Sequence, residues 1–171
     1  MARAASLAET VALGDGSGLP VVVLRGALDR QNVRGVAACM ALFARHRWTG
    51  AWQNGIYAFH HFHPRTHEAL GIVRGSAEVQ FGGAGGPLVR VAAGDVVVIP
   101  AGVSHRRRAS SDDLVVVGAY PGADAPERDP GIERGDSDGC DPRFATAGLP
   151  AADPAFGPDG PLLRLWRDTG G

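Results

Sequence analysis

The sequence predicts an all-β fold, an antiparallel sandwich or barrel with one helix ahead of it and an irregular arm behind. Three observations carry this expectation. Between Ile56 and Tyr120 the chain is a succession of short runs rich in β-branched residues: Ile56–His63, Ala69–Arg74, Ala77–Phe81, Leu88–Val91, Val96–Ile99 and Leu114–Ala119. Short strands at such spacing build sandwiches and barrels. Most are divided by glycine-bearing turns, from Gly82 to Gly86, at Ala93-Gly94-Asp95 and at Pro100-Ala101-Gly102. Beyond Tyr120 the text changes to proline, glycine and aspartate, which suits an irregular arm.

Taken in order, residues 1–50 read as an N-terminal arm, a strand and a helix packed on the barrel. Gly14 to Gly18 is a turn cluster, and Pro20 to Leu24 is a short β-rich run. Val33, Val36, Ala37, Met40, Phe43 and Ala44 recur at helical spacing, with Asn32 or Asp29 as caps and Gly50 as the stop. This is the only helix expected, and a helix-turn-helix reader of DNA needs more than one. Residues 51–120 form the β core. Residues 121–171 form the arm, whose closing Leu162, Leu163, Leu165 and Trp166 are apolar enough to dock on the barrel or on a second subunit.

Composition excludes several classes of function. Of 171 residues 44% are hydrophobic, and the charges balance to a formal −1, as expected of a soluble globular domain. No basic excess exists to hold nucleic acid or an anionic membrane, and no run reaches the ~20 apolar residues of a membrane span. Met1 to Leu13 carries Ser6, Glu9 and Thr10 where a signal peptide needs an apolar core. The two cysteines, Cys39 and Cys140, lack the spacing of a zinc knuckle or redox pair. A cytoplasmic location is expected.

The chemistry lies in two spaced constellations: Gly55-x5-His61-x-His63-x4-Glu68-x6-Gly75, then Gly94-x5-Pro100-x-Gly102-x2-His105. On a strand, His61 and His63 project from one face. Pro64 turns the chain so that the next strand returns with Glu68 beside them, and the turn at Pro100-Ala101-Gly102 delivers His105. Three neutral imidazoles and a carboxylate suit one divalent transition ion, Fe, Mn, Ni, Co, Cu or Zn. Four ligands leave positions open on an octahedral ion, which separates catalytic from structural sites.

These stretches resemble both motifs of the cupin superfamily, matching at every position but the last, where Ala109 replaces asparagine. More narrowly, WQNGIYAFHHFHPRTHEALGIVRGSAEVQFGG, AGDVVVIPAGVSHRRRASSDDLVVVGAYPG and the closing DPAFGPDGPLLRLW are similar to bacterial YjlB-like single-domain cupins. The resemblance covers about Leu19 to Trp166. It implies an antiparallel jelly-roll β-barrel and a metal site on His61, His63, Glu68 and His105, and it brings no established substrate.

Neighbouring residues refine the site. His67 adjoins Glu68, and one register slip would exchange them; with Glu68 inward, Leu70 and Ile72 also face the interior. His60 alternates to the opposite face. Tyr57 and Phe59 share the face of His61 and are expected to line the cavity. If the strand after His105 is regular, Arg107 also faces inward and could hold a substrate carboxylate or phosphate. The leading expectation is a metalloenzyme, of dioxygenase or isomerase/lyase type, acting on a small polar or anionic metabolite. The alternatives are a non-catalytic small-molecule or metal-binding module, and an assembly protein whose ion staples the barrel. A homodimer is expected, since sheet edges and an apolar C-terminal end invite pairing.

Overall fold

The apolar runs VVVL at β2 (Val21–Leu24) and VVVI at β8 (Val96–Ile99) are buried along their whole length. A strand with no polar face must be covered on both sides, and the computed structural model shows two layers doing so. It describes residues 7–14, 16, 18–122, 133–134 and 147–169. The remaining elements are β1 (Ala8–Val11), α1 (Ala27–Arg30), α2 (Val36–Arg45), β3 (Trp48–Asn54), β4 (His61–Phe62), β5 (Glu68–Arg74), β6 (Ser76–Phe81), β7 (Leu88–Ala92), β9 (His105–Ser110), β10 (Val115–Pro121), β11 (Glu133–Arg134) and α3 (Pro161–Asp168).

The strands form two antiparallel sheets, in the orders β1-β2-β8-β5-β10-β3 and β11-β4-β9-β6-β7. Between the sheets lies one apolar core, in which Val21, Val23, Leu70, Val97 and Ile99 meet Val79 and Phe81. Alternate residues of the larger sheet, Val22, Leu24, Val96, Val98 and Val117, face the other way. They pack against Leu28 of α1, Cys39, Leu42 and Phe43 of α2, and Leu162 and Trp166 of α3. The helices therefore act as a third layer on the larger sheet. At Gly71 a β-carbon would stand 2.6 Å from Cys39 Sγ and 3.1 Å from the Phe43 ring, so the missing side chain lets α2 lie close against β5.

Several sequence expectations need correction. The sheets are an open sandwich and not a closed barrel, since no pairing joins them among the described residues. Among the described residues three helices stand in place of the single one expected. Leu162, Leu163 and Trp166 do dock on the domain, but as α3, with the Trp166 indole donating to the Pro20 carbonyl at 3.0 Å. Neither Asn32 nor Asp29 caps α2, which starts after Gly35 with no side-chain cap. Gly50 does not end it; the helix stops at Arg45, and Gly50 lies inside β3. The expected strand Ile56–His63 is reduced to His61–Phe62, preceded by an irregular strap. Cys39 is a buried free thiol. Cys140, with residues 123–132, 135–146 and 170–171 of the expected arm, lies outside the described residues. Among the described residues no helix is long and apolar enough to cross a membrane.

Candidate metal centre

The two halves of the site come from different sheets. Glu68 opens β5 in the larger sheet, opposite Ile99 of β8. His61 and His105 face each other across the β4–β9 pair of the smaller sheet. The Pro64 turn carries the chain between the sheets, and the Gly102 amide donates to the His63 carbonyl at 2.8 Å, tying the two motif turns together. All four side chains are buried, and all four line one cavity of about 310 Å³ with Trp52, Tyr57, Leu70 and Tyr120 also in its wall.

Within the cavity, His63 Nε2 lies 2.6 Å from Glu68 Oε2, and His105 Nε2 lies 3.3 Å from Oε1. The His61 and His105 rings are 4.1 Å apart. Nδ1 of His61 sits 3.0 Å from the Phe59 carbonyl and Nδ1 of His105 sits 3.2 Å from the Val103 carbonyl. A carbonyl only accepts, so each Nδ1 carries the proton and donates it, and Nε2 keeps its lone pair. The longer His105 approach to Glu68 lacks hydrogen-bond alignment, so His105 Nε2 is a buried nitrogen with no hydrogen-bond partner. This is the arrangement in which histidine ligates an ion, with backbone carbonyls fixing the tautomer from behind.

Electrostatics favour the same forms. Burial, reinforced by the neighbouring His105, pushes the His61 pKa down to about 4, so its imidazole is neutral at pH 7. Burial would raise the Glu68 carboxyl, but the contacts from His105 and His63 outweigh it and hold the group below the usual carboxylate range. The carboxylate is therefore ionised. As the side chains stand, no group of three His, Cys, Asp or Glu donors among the described residues forms a ready ion cage. His63 closes on Glu68, and the proton between them occupies the space on the carboxylate that a cation would use.

Glu68 and His67 take opposite sides of β5. The Ala101 amide donates to His67 Nδ1 at 2.9 Å, so Nε2 carries the proton and donates to the Gly148 carbonyl at 3.1 Å. The ring packs 4.7 Å from that of Trp166. His67 thus binds the outer layer, and the cavity receives Glu68.

Tyr57 lines the cavity at its rim and is 50% exposed. Phe59 departs from expectation. It is not in the cavity wall but stacks behind Tyr57 at 4.8 Å and meets the His61 ring at 5.6 Å. Arg107 departs further. It keeps the expected register, paired with Val79 two residues from the His105–Phe81 pair, yet its guanidinium does not reach the cavity. Nε donates to the Ile56 carbonyl at 3.1 Å and a terminal nitrogen donates to Ser110 Oγ at 2.8 Å. With its amide donating to Tyr57 O, Arg107 holds the strap from the far side, in a separate groove. Parity could not reveal that the strap between Asn54 and Phe59 separates the two spaces. Sequence reasoning named neither Trp52 nor Tyr120 as a wall residue, because the two meet only through the pairing of β3 with β10.

A two-sheet antiparallel jelly roll with two histidine-bearing turns meeting over a buried glutamate defines the class. The cupin-domain family model matches residues 51–118. The chain is 37% identical over 147 residues to Uncharacterized protein YjlB of Bacillus subtilis (strain 168), covering 86% of each. The chain belongs to the cupin family. Among solved structures it is similar to protein NMB1881 of Neisseria meningitidis, at 29% identity and a TM-score of 0.33 over 41% of this chain and 68% of that one. It is also similar to an acireductone dioxygenase from Bacillus anthracis, at 18% identity and a TM-score of 0.36 over 49% of this chain and 57% of that one.

Proposed function

We propose that this protein is a mononuclear metal-binding cupin, with His61, His63, Glu68 and His105 as ligands to one divalent transition ion, and that it works as a metalloenzyme on a small molecule. The observation that carries the reading is the tautomer of two buried imidazoles. His61 and His105 both spend their Nδ1 proton on a backbone carbonyl, and His105 Nε2 is left with no hydrogen bond. A buried lone pair without a donor costs roughly 1–3 kcal/mol, and a bound cation removes that cost.

When bound, the ion supplies Lewis acidity, or oxygen chemistry if it is iron. The chain's own residues do the rest. Phe59 and Val103 carbonyls orient the two imidazoles. Glu68 contributes the negative charge, and Leu70 closes the apolar floor of the cavity. For His63 to serve as a ligand, its contact with Glu68 would open and its proton would sit on Nδ1, leaving the Nε2 lone pair for the ion. Dioxygenase and isomerase or lyase chemistry both suit this donor set. The open edge strands β1, β3 and β7 support a homodimer, which sedimentation would test.

Metal analysis of protein purified without a histidine tag tests the reading, beside the His61→Ala/His105→Ala double variant. About one ion per chain in the parent, lost in a folded variant, is the expected result. A folded parent that holds no ion and takes none up from added divalent salts would overturn it.

A further inference from the structure

The wall of the cavity away from the histidines is built from aromatic rings fixed by backbone features. Trp52 of β3 lies over Gly118 of β10, its pairing partner. A β-carbon at Gly118 would stand 2.1 Å from the indole ring, so only glycine lets the indole lie where it does. The same indole donates its N–H to the Tyr120 hydroxyl oxygen at 2.8 Å. Between these contacts β3 is bulged: Gly118 pairs with Trp52, but Tyr120 pairs with Thr49, and Gly50 within the bulge takes φ 64°. An αL glycine suits such a bulge, and the Tyr120 ring lies alongside it, its Cδ2 3.4 Å from where a β-carbon would be, an ordinary contact. Two glycines, a bulge and a hydrogen bond thus hold two rings in a fixed wall, with Tyr57 at the rim.

Charge is distributed in a matching way. The chain contains no lysine, and no arginine is among the described residues lining this cavity. Arg107 is held behind the strap and Arg106 donates to Gln80 at 3.1 Å. Away from the histidine end, the polar side chains of the wall are the amides Gln53 and Asn54 and the Tyr57 and Tyr120 hydroxyls. A multiply charged anion placed away from the histidine end would lose water without gaining a cationic partner among the described residues. A flat uncharged ring would gain stacking area against rings already immobilised.

We propose that the Trp52–Tyr120 wall makes this cavity selective for a small planar ring compound that is uncharged away from the histidine end, and against polyanions. The inference deepens the metal-site reading and rests on it only for which end of the ligand meets the ion.

Isothermal calorimetry at pH 7 on zinc-supplemented and metal-free full-length chain tests it, with three probes. Catechol is flat and uncharged, cyclohexane-1,2-diol offers the same hydroxyl pair without a flat ring, and citrate is a polyanion. Catechol is expected to bind both preparations about tenfold more tightly than either competitor, within the range of aromatic stacking. Trp52→Leu should abolish that preference, and Trp52→Phe, which keeps a ring, should retain most of it with the same fold by circular dichroism. Citrate or the diol binding as tightly as catechol, no catechol binding at all, or a preference intact in Trp52→Leu would each overturn the inference. Catechol isotherms unchanged by zinc, with the ring preference intact, would sink the metal site and leave the aromatic wall standing.

Discussion

His67 and Glu68 are bonded neighbours with opposite tasks, because a strand sends successive side chains to opposite faces. Glu68 is ionised among imidazoles, whereas His67 is held neutral as a bridge between the Ala101 turn, Gly148 and the Trp166 ring. Burial lowers its pKa to about 4. An unfolded histidine titrates near 6.5, so the unfolded chain binds this proton first. The contribution of His67 is therefore fully present above about pH 6.5 and is lost as pH falls towards 4. Chemical denaturation of the metal-free chain should show stability falling across that window. His67→Phe should remove up to about 1.4 kcal/mol per pH unit from the slope. An unchanged slope would mean that burial does not hold the His67 ring neutral. The sequence presented His67 and Glu68 as rivals for one position, and strand parity favoured Glu68 through Leu70 and Ile72. Parity could not supply the partners of the losing residue, because they lie more than thirty residues away.

At the scale of elements, α3 has no cap of its own and borrows one. Pro161 opens the helix with no side-chain cap on Gly160. The Asp153 carboxylate instead receives the amides of Ala155, Phe156 and, inside the helix, Leu162, at 2.9, 3.0 and 3.1 Å. Asp153 is fully buried, so removing its oxygens leaves buried donors unsatisfied. Asp153→Ala is expected to cost about 2–3 kcal/mol, read as a lower urea midpoint. Hydrogen exchange should locate the loss in α3. If Asp153→Ala instead matches the parent, the helix is held by Leu162 and Trp166 packing alone. The apolar residues of DPAFGPDGPLLRLW were legible as a docking end, but not the helix. With so many proline and glycine residues before it, the segment offers less than three turns of periodicity, and its cap lies outside it.

For the whole molecule, the site is a joint between sheets: Glu68 belongs to one and the β4–β9 histidines to the other. Anything that binds the folded state alone stabilises it by mass action. A divalent ion at about a hundred times its Kd is expected to add about 2.7 kcal/mol, which for a chain of this length raises Tm by roughly 5–10 °C. The His61→Ala/His105→Ala variant should show no such rise. A rise equal in both would place the ion elsewhere.

The sequence by itself determined the family, the pairing of two histidine-bearing motifs and which residues could meet, because ligand spacing, turn glycines and strand parity are all local properties. It also placed β5 to β8 within a residue or so, where β-branched runs are bounded by turns. Tertiary structure alone decided the rest. It made the fold an open sandwich beneath a helical layer and reduced the first motif strand to two residues. It also put Arg107 behind the strap and set Trp52 against Tyr120 in the cavity wall. The physical reason is common to these cases. Each depends on which surfaces remain to be covered once the sheets have paired, and coverage is settled between segments distant in the chain, where no local pattern records it.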